Sequence, residues 1–195
     1  MEQKKEDRRV RKTKRLLRQG LSQLMLEKSI KDITVRELAE LVDINRGTFY
    51  IHYRDIYDMV AQLEEEIFGE ITEILDRHRH ADNTDIERQA QAFLEDLFSY
   101  VAENREMCLA LLGQNGDIAF LRNLQTMIHT ECLKALVDNF PQAKPQNIEY
   151  LYEYMSAGST ALMRAWLSAG MKESPAEMAA LSRQTIAGII TGVLM

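Results

Sequence analysis

The run Asn45-Arg-Gly-Thr-Phe-Tyr-Ile-His-Tyr53 concentrates side chains suited to reading nucleic acid. Arg46 can bond a guanine edge bidentately, and the Thr48 methyl can touch the 5-methyl of thymine. Gly47 removes a side chain where a backbone must come close. Tyr50, His52 and Tyr53 carry donors for phosphate oxygens. Phe49 is the apolar member and is expected to face a core. Other constellations are weaker. His78 and His80, with Asp76 and Asp82 nearby, suggest a metal site. Helical residues two apart point about 200° from one another, however, so the imidazoles do not converge. A polar helix end is the better reading. His129 and Cys132 lie one turn apart with no orienting acid at useful spacing, and Cys108 reads as packing. No GxGxxG, GxxxxGK[ST] or HExxH occurs, so no metal, cofactor or catalytic set is expected.

The reading residues need a scaffold, and residues 34–53 have helix-turn-helix arithmetic: a helix of about 8 residues, a turn of 3 to 4, and a second short helix. Thr34 and Glu37 match the S/T-x-x-E capping box. Val35, Leu38, Ala39 and Val42 are apolar, with small Ala39 at the crossing and Val42 and Ile44 bracketing the turn. Asn45 caps the second helix. Before this pair, residues 8–28 read as a helix with Val10, Lys14, Leu17, Leu21, Leu24 and Met25 on one stripe. After it, Asp55 caps a long helix to about residue 79, carrying Ile56, Met59, Val60, Leu63, Ile67, Ile71, Ile74 and Leu75.

Residues 81–85 read as a loop, and a helix through Phe93, Phe98 and Val101 follows it. A short helix spans Met107 to Leu112, stopped by Gly113 and Gly116. Another runs from Ile118 to Val137, and Phe140-Pro141 to Lys144-Pro145 is a connection. A long helix covers about 146–170 and closes on Gly170. Ser174-Pro175 then opens the last helix. The expected fold is all-α, with about nine helices. An N-terminal three-helix head spans 1–57 and a helical effector and dimerisation domain spans 58–195.

Charge agrees with that division. The 195 residues carry a net −6, yet residues 1–60 hold 14 basic against 10 acidic side chains, and the first 18 hold 9 against 3. A basic head on an acidic body is the footprint of a polyanion-binding module. With 2 Cys and 3 Pro, a disulfide scaffold and a turn-rich β-sandwich are both disfavoured. No apolar run reaches the roughly 18 residues of a membrane span, and the charged first residues do not form a signal peptide. A cytoplasmic, non-membrane protein is expected.

The segment from Ile33 to Tyr53 closely resembles the DNA-binding domain of TetR-family transcriptional regulators, with the match running from about Arg9 to Val60. The resemblance implies an all-helical homodimer, usually a repressor, that binds double-stranded operator DNA with its first three helices. It places Thr34 and Arg36 at the phosphate-facing start of the second helix. Arg46, Gly47, Thr48 and Tyr50 then meet bases or nearby phosphates, and His52 and Tyr53 the backbone. Many relatives carry a Lys near the start of the fourth helix as a phosphate contact. This chain reads Tyr53-Arg-Asp-Ile-Tyr-Asp58, with Arg54 and Tyr57 as the substitutes on offer. The stretch from Trp166 to Met178 resembles the C-terminal domain of a Firmicutes subgroup related to the dihydroxyacetone kinase regulator. That likeness admits activators and members answering to a protein partner.

The tail also reads as an interface from its residues alone. In 146–170, Ile148, Leu151, Tyr152, Met155, Leu162, Met163 and Trp166 form one apolar face. Ala157, Gly158, Ala161, Ala165 and Ala169 form a second, small-residue face. A helix apolar on both sides is buried on both sides. With the helix at 175–193, this pair is half of a four-helix bundle completed by a second copy. For a small-molecule effector, the candidate lining is Phe93, Met107, Phe120, Met127, Met155 and Trp166, with His129 and Arg164 as polar anchors. The competing class is an all-α enzyme or adaptor, for which the basic head would be incidental.

Overall fold

A computed structural model describes residues 8–79, 86–113, 118–139 and 142–194. The first residues of the basic arm, His80, the loop at 81–85, Gly116 and Phe140-Pro141 lie outside the described residues. Among those described, all regular structure is helical. The order is α1 (Arg8–Glu27), α2 (Val35–Leu41), α3 (Arg46–Tyr50), α4 (Ile56–Arg79), α5 (Ile86–Glu103), α6 (Arg105–Leu112), α7 (Ile118–Asn139), α8 (Pro145–Ser168) and α9 (Pro175–Leu194). A 3-10 turn over Ile30–Asp32 links α1 to α2, where the sequence suggested only a link. No helix among the described residues is long and apolar enough to cross a membrane.

The chain forms two compact units. The first takes residues 1–66 and 106–117, the second 67–105 and 118–195, so the division falls inside α4. The core of the first unit is Leu17, Leu21, Leu24 and Met25 of α1, Leu38 and Ala39 of α2, Phe49 of α3, and Met59 and Val60 of α4, all buried. These are the stripe positions of each helix, so burying the stripes accounts for the packing.

Helix α2 packs tightly onto α1 at Gly20. A β-carbon there would stand 2.4 Å from Val42 Cγ1 and 2.9 Å from Leu38 Cδ1. Val42 is β-branched, so its γ-methyl yields only by leaving a preferred rotamer. Gly20→Ala is therefore expected to lower stability by up to about 2 kcal/mol: about 1–3 for overpacking, less about 1 returned by helix propensity. Chemical denaturation of wild type and variant checks this.

The second unit is built from the remainder of α4 with α5, α7, α8 and α9. Helix α5 packs along α9, and α8 packs on both α7 and α9. Buried Ile148 and Leu151 meet Met155, Ile189 and Ile190, so the apolar face of α8 and the stripe of α9 cover each other.

Helix ends follow local chemistry. Helix α8 ends in a Schellman motif: Gly170 has φ 86°, its N–H reaches Leu167 O at 3.2 Å, and Met171 N–H reaches Trp166 O at 3.0 Å. Helix α9 opens with a reciprocal capping box. Ser174 N–H donates to Glu177 Oε2 at 2.7 Å, and Glu177 N–H donates to Ser174 Oγ at 3.3 Å. The hydrogen bonds from the Ser174 backbone and then its hydroxyl hold the Glu177 carboxyl below its ordinary value. A lowered carboxylate pKa contributes stability that is complete above the ordinary value near 4.5 and drains away as the pH falls through the lowered value. Glu177→Gln is accordingly expected to melt below wild type at neutral pH. The gap should close in acid, as thermal melts across pH will read.

Candidate nucleic-acid interface

Helix α2, its turn and α3 build the site. Thr34 caps α2 with its Oγ1 accepting from Glu37 N–H at 3.2 Å. The Glu37 carboxylate does not complete the box; it pairs with Lys28 Nζ instead. Helix α2 closes on a second Schellman motif, with Asp43 N–H to Glu40 O at 3.3 Å and Ile44 N–H to Ala39 O at 3.0 Å. Asp43 occupies the left-handed region at φ 53°, a conformation that Asp tolerates better than most residues. This reversal turns the chain from α2 into α3. Asn45 Oδ1 then accepts from Gly47 N–H at 2.8 Å, starting α3.

Helix α3 is shorter than the sequence suggested, ending at Tyr50 rather than Tyr53. Its last turn tightens because the N–H groups of His52 and Tyr53 share the carbonyl of Phe49, at 2.9 and 3.0 Å. The tightening carries Tyr53 inward. Phe49 is fully buried, and the Tyr53 ring lies 5.6 Å from it with 3% of its surface open. Tyr53 thus anchors the underside of the helix and offers little surface to a phosphate. Arg46, Gly47 and Tyr50 are exposed, and Thr48 and His52 are half-buried. Arg46, Thr48, Tyr50 and His52 therefore face away from an apolar anchor.

The flanking cations differ in how free they are. Arg36 is exposed and stands 3.8 Å from Glu40 one turn on, a weak pair. Arg54 is turned back onto Asp58, its Nε and Nη2 donating to Oδ1 at 3.1 and 2.8 Å. Asp58 also accepts from the Arg54 backbone at 2.8 Å. The side-chain bond from Arg54, then that backbone bond, pulls the Asp58 carboxyl below its ordinary value, and Arg54 is raised in return. Arg54 thus enters α4 with its charge matched. Tyr57 beside it is exposed.

The effector candidates fall in both units. Met107 belongs to the first unit, where its sulfur accepts from Ser22 Oγ at 3.8 Å. Arg164 is exposed. In the second unit, Phe93 stands edge-on to His78 and Phe120 packs on Phe68. Met127 Sδ accepts from Thr72 Oγ1 at 3.4 Å. His129 lies edge-on to Tyr152, with ring centroids 4.3 Å apart, and 3.7 Å from Glu149. Met155 packs against Ile148 and Leu151. Trp166 is buried against Phe98 and donates its indole N–H to Glu173 O at 3.0 Å. Among the described residues, no group of His, Cys, Asp and Glu is placed to hold a metal ion.

Known proteins show the same architecture. The curated Bacillus subtilis (strain 168) protein YxbF, an HTH-type transcriptional regulator, is 22% identical over 109 residues, which is 55% of this chain and 28% of that protein. The chain thus spans less than a third of that relative's length. The structure of the fatty acid degradation regulator FadR from Bacillus halodurans is similar, with a TM-score of 0.68 at 13% identity over 95% of this chain and 97% of FadR. The dihydroxyacetone kinase operon activator DhaS gives 0.52 at 15% identity, over 94% and 98%. At these identities the structures speak for the fold. A sequence profile for the C-terminal region of TetR-type transcriptional regulators matches residues 88–188. That match covers more than half of the chain, beyond the helix-turn-helix residues that first suggested the family, and the chain belongs to the TetR family of transcriptional regulators.

Proposed function

We propose that the protein is a ligand-responsive repressor that binds an inverted-repeat operator in double-stranded DNA as a homodimer. The observation that carries the reading is α3: a capped helix whose Arg46, Gly47 and Tyr50 are exposed above the buried ring of Phe49. Arg46, Thr48 and Tyr50 meet base edges or nearby phosphates. Thr34, Arg36 and His52 meet the backbone, and Tyr53 holds the helix from beneath. Arg54 gives a compensated charge at the start of α4, with Tyr57 as its neighbour.

The homodimer forms through α8 and α9. Ala157, Gly158, Ala161 and Ala165 of α8 are exposed, as are Leu181, Gly188 and Gly192 of α9. A β-carbon at Gly158, Gly188 or Gly192 would meet nothing within 4 Å. Glycine inside a helix costs about 0.5–1 kcal/mol relative to alanine, and close approach of the matching helices of a second copy offsets that cost. The effector is a small molecule held in the second unit among the α4, α5, α7 and α8 side chains named above. DhaS, of similar fold, is named an operon activator, which supports activation as the second reading of the sign of regulation.

Selection of DNA fragments by the purified protein, followed by titration at several salt concentrations, tests the proposal. An inverted repeat is expected, with log K falling against log salt at about 0.9 per phosphate contact. Failure to enrich any sequence would reject the reading. Deleting the gene in cells that carry a reporter behind the operator separates the signs: expression rises for a repressor and falls for an activator.

A further inference from the structure

Among the large apolar side chains described, Ile51 is the most exposed, with 76% of its surface open. It follows α3 directly and keeps helical backbone angles, φ −70° and ψ −28°. At 100° per residue it therefore lies within about 40° of Gly47, one turn earlier. Phe49 points about 160° away from both, into the core. The line from Gly47 to Ile51 is thus the outward midline of the helix, with Arg46 and Tyr50 along one side and Thr48 on the other. A bare backbone is followed, one turn on, by a branched aliphatic side chain.

An aliphatic side chain offers no donor to a phosphate and no donor or acceptor to a base edge. The one apolar group that the major groove presents is the 5-methyl of thymine. We propose that Ile51 is a specificity-determining residue, selecting thymine at one position in each half-site through that methyl group. This rests on the DNA-binding reading of α3 given above and adds a second methyl contact, on the midline of the helix, to the one open to Thr48 at its side. The branched shape suits the task, because a stiff side chain loses little freedom on contact.

Replacing each thymine of the selected operator by deoxyuridine, one at a time, deletes the methyl and keeps every hydrogen-bonding edge. With wild type, one thymine per half-site is expected to lose about fourfold in affinity, as for one buried methyl group. Replacing it in both half-sites should multiply to about 15-fold. With Ile51→Ala the penalty at that thymine should disappear while penalties elsewhere persist; Ile51→Val should retain most of it. Circular dichroism should be unchanged, since the side chain is exposed. An identical uracil profile for wild type and Ile51→Ala, on an operator both bind, would overturn the role of Ile51 and leave the DNA-binding reading standing. A protein that enriches no DNA sequence overturns both.

Discussion

An Ala161→Glu protein is expected to remain helical, to run as a monomer by light scattering, and to bind its operator roughly 10²–10⁴-fold more weakly than wild type. Ala161 is exposed on α8 between Gly158 and Ala165. In a two-fold interface, the same face meets itself, so one substitution sets two carboxylates against each other. Burying unpaired charges there costs several kcal/mol. The first unit should survive, because its core of Leu17, Leu21, Leu24, Leu38 and Phe49 uses nothing from α8. What is lost is the intramolecular character of the second half-site contact. Affinity for a single half-site should be nearly unchanged, which separates loss of dimerisation from damage to the head. A monomeric variant that binds the full operator as tightly as wild type would reject this interface.

The other large effect is expected at α3, the helix proposed to read the operator. Arg46→Ala should weaken operator binding by about 5- to 150-fold, the 1–3 kcal/mol of a good bidentate base contact, and relax preference at one position per half-site. Arg46 is the first residue of α3, exposed just beyond the Asn45 cap. Arg54→Ala is the informative control. Its guanidinium already lies against Asp58 at 2.8 Å, so removing it should change affinity far less and leave the preferred sequence alone. Titration of both variants against matched and single-substituted duplexes reads the difference. Equal losses on every duplex for Arg46→Ala would make it a phosphate contact.

These expectations draw on features of unequal legibility in the sequence. Long helices with one apolar stripe, such as α1 and α4, could be read directly, because periodicity records which side is buried. Caps were equally plain where a side-chain acceptor and its backbone donor stand three residues apart, as at Thr34. The end of α3 was not legible: Tyr53 looks as polar as Tyr50, and only the shared Phe49 carbonyl carries it inward. Gly20 was passed over because a helical glycine has the same signature whether or not another helix crosses it. Ile51 was missed since an apolar residue beside a polar helix reads as core until its direction is known. Arg54 drew notice as a cation, but its pairing depends on the turn that brings Asp58 back to it. For the effector candidates, composition supplied residue types, while the assignment of Met107 to the first unit is a property of the packing.

Trp166 is the one tryptophan in the chain, and it belongs to the second unit, wedged against Phe98 with its indole N–H bonded to Glu173 O. The two units are therefore optically distinguishable without any label. Indole emission reports the melting of the second unit alone, whereas far-ultraviolet dichroism counts helix from both. If the units melt separately, dichroism will show two steps and emission one, and the step missing from the emission trace will belong to the first unit.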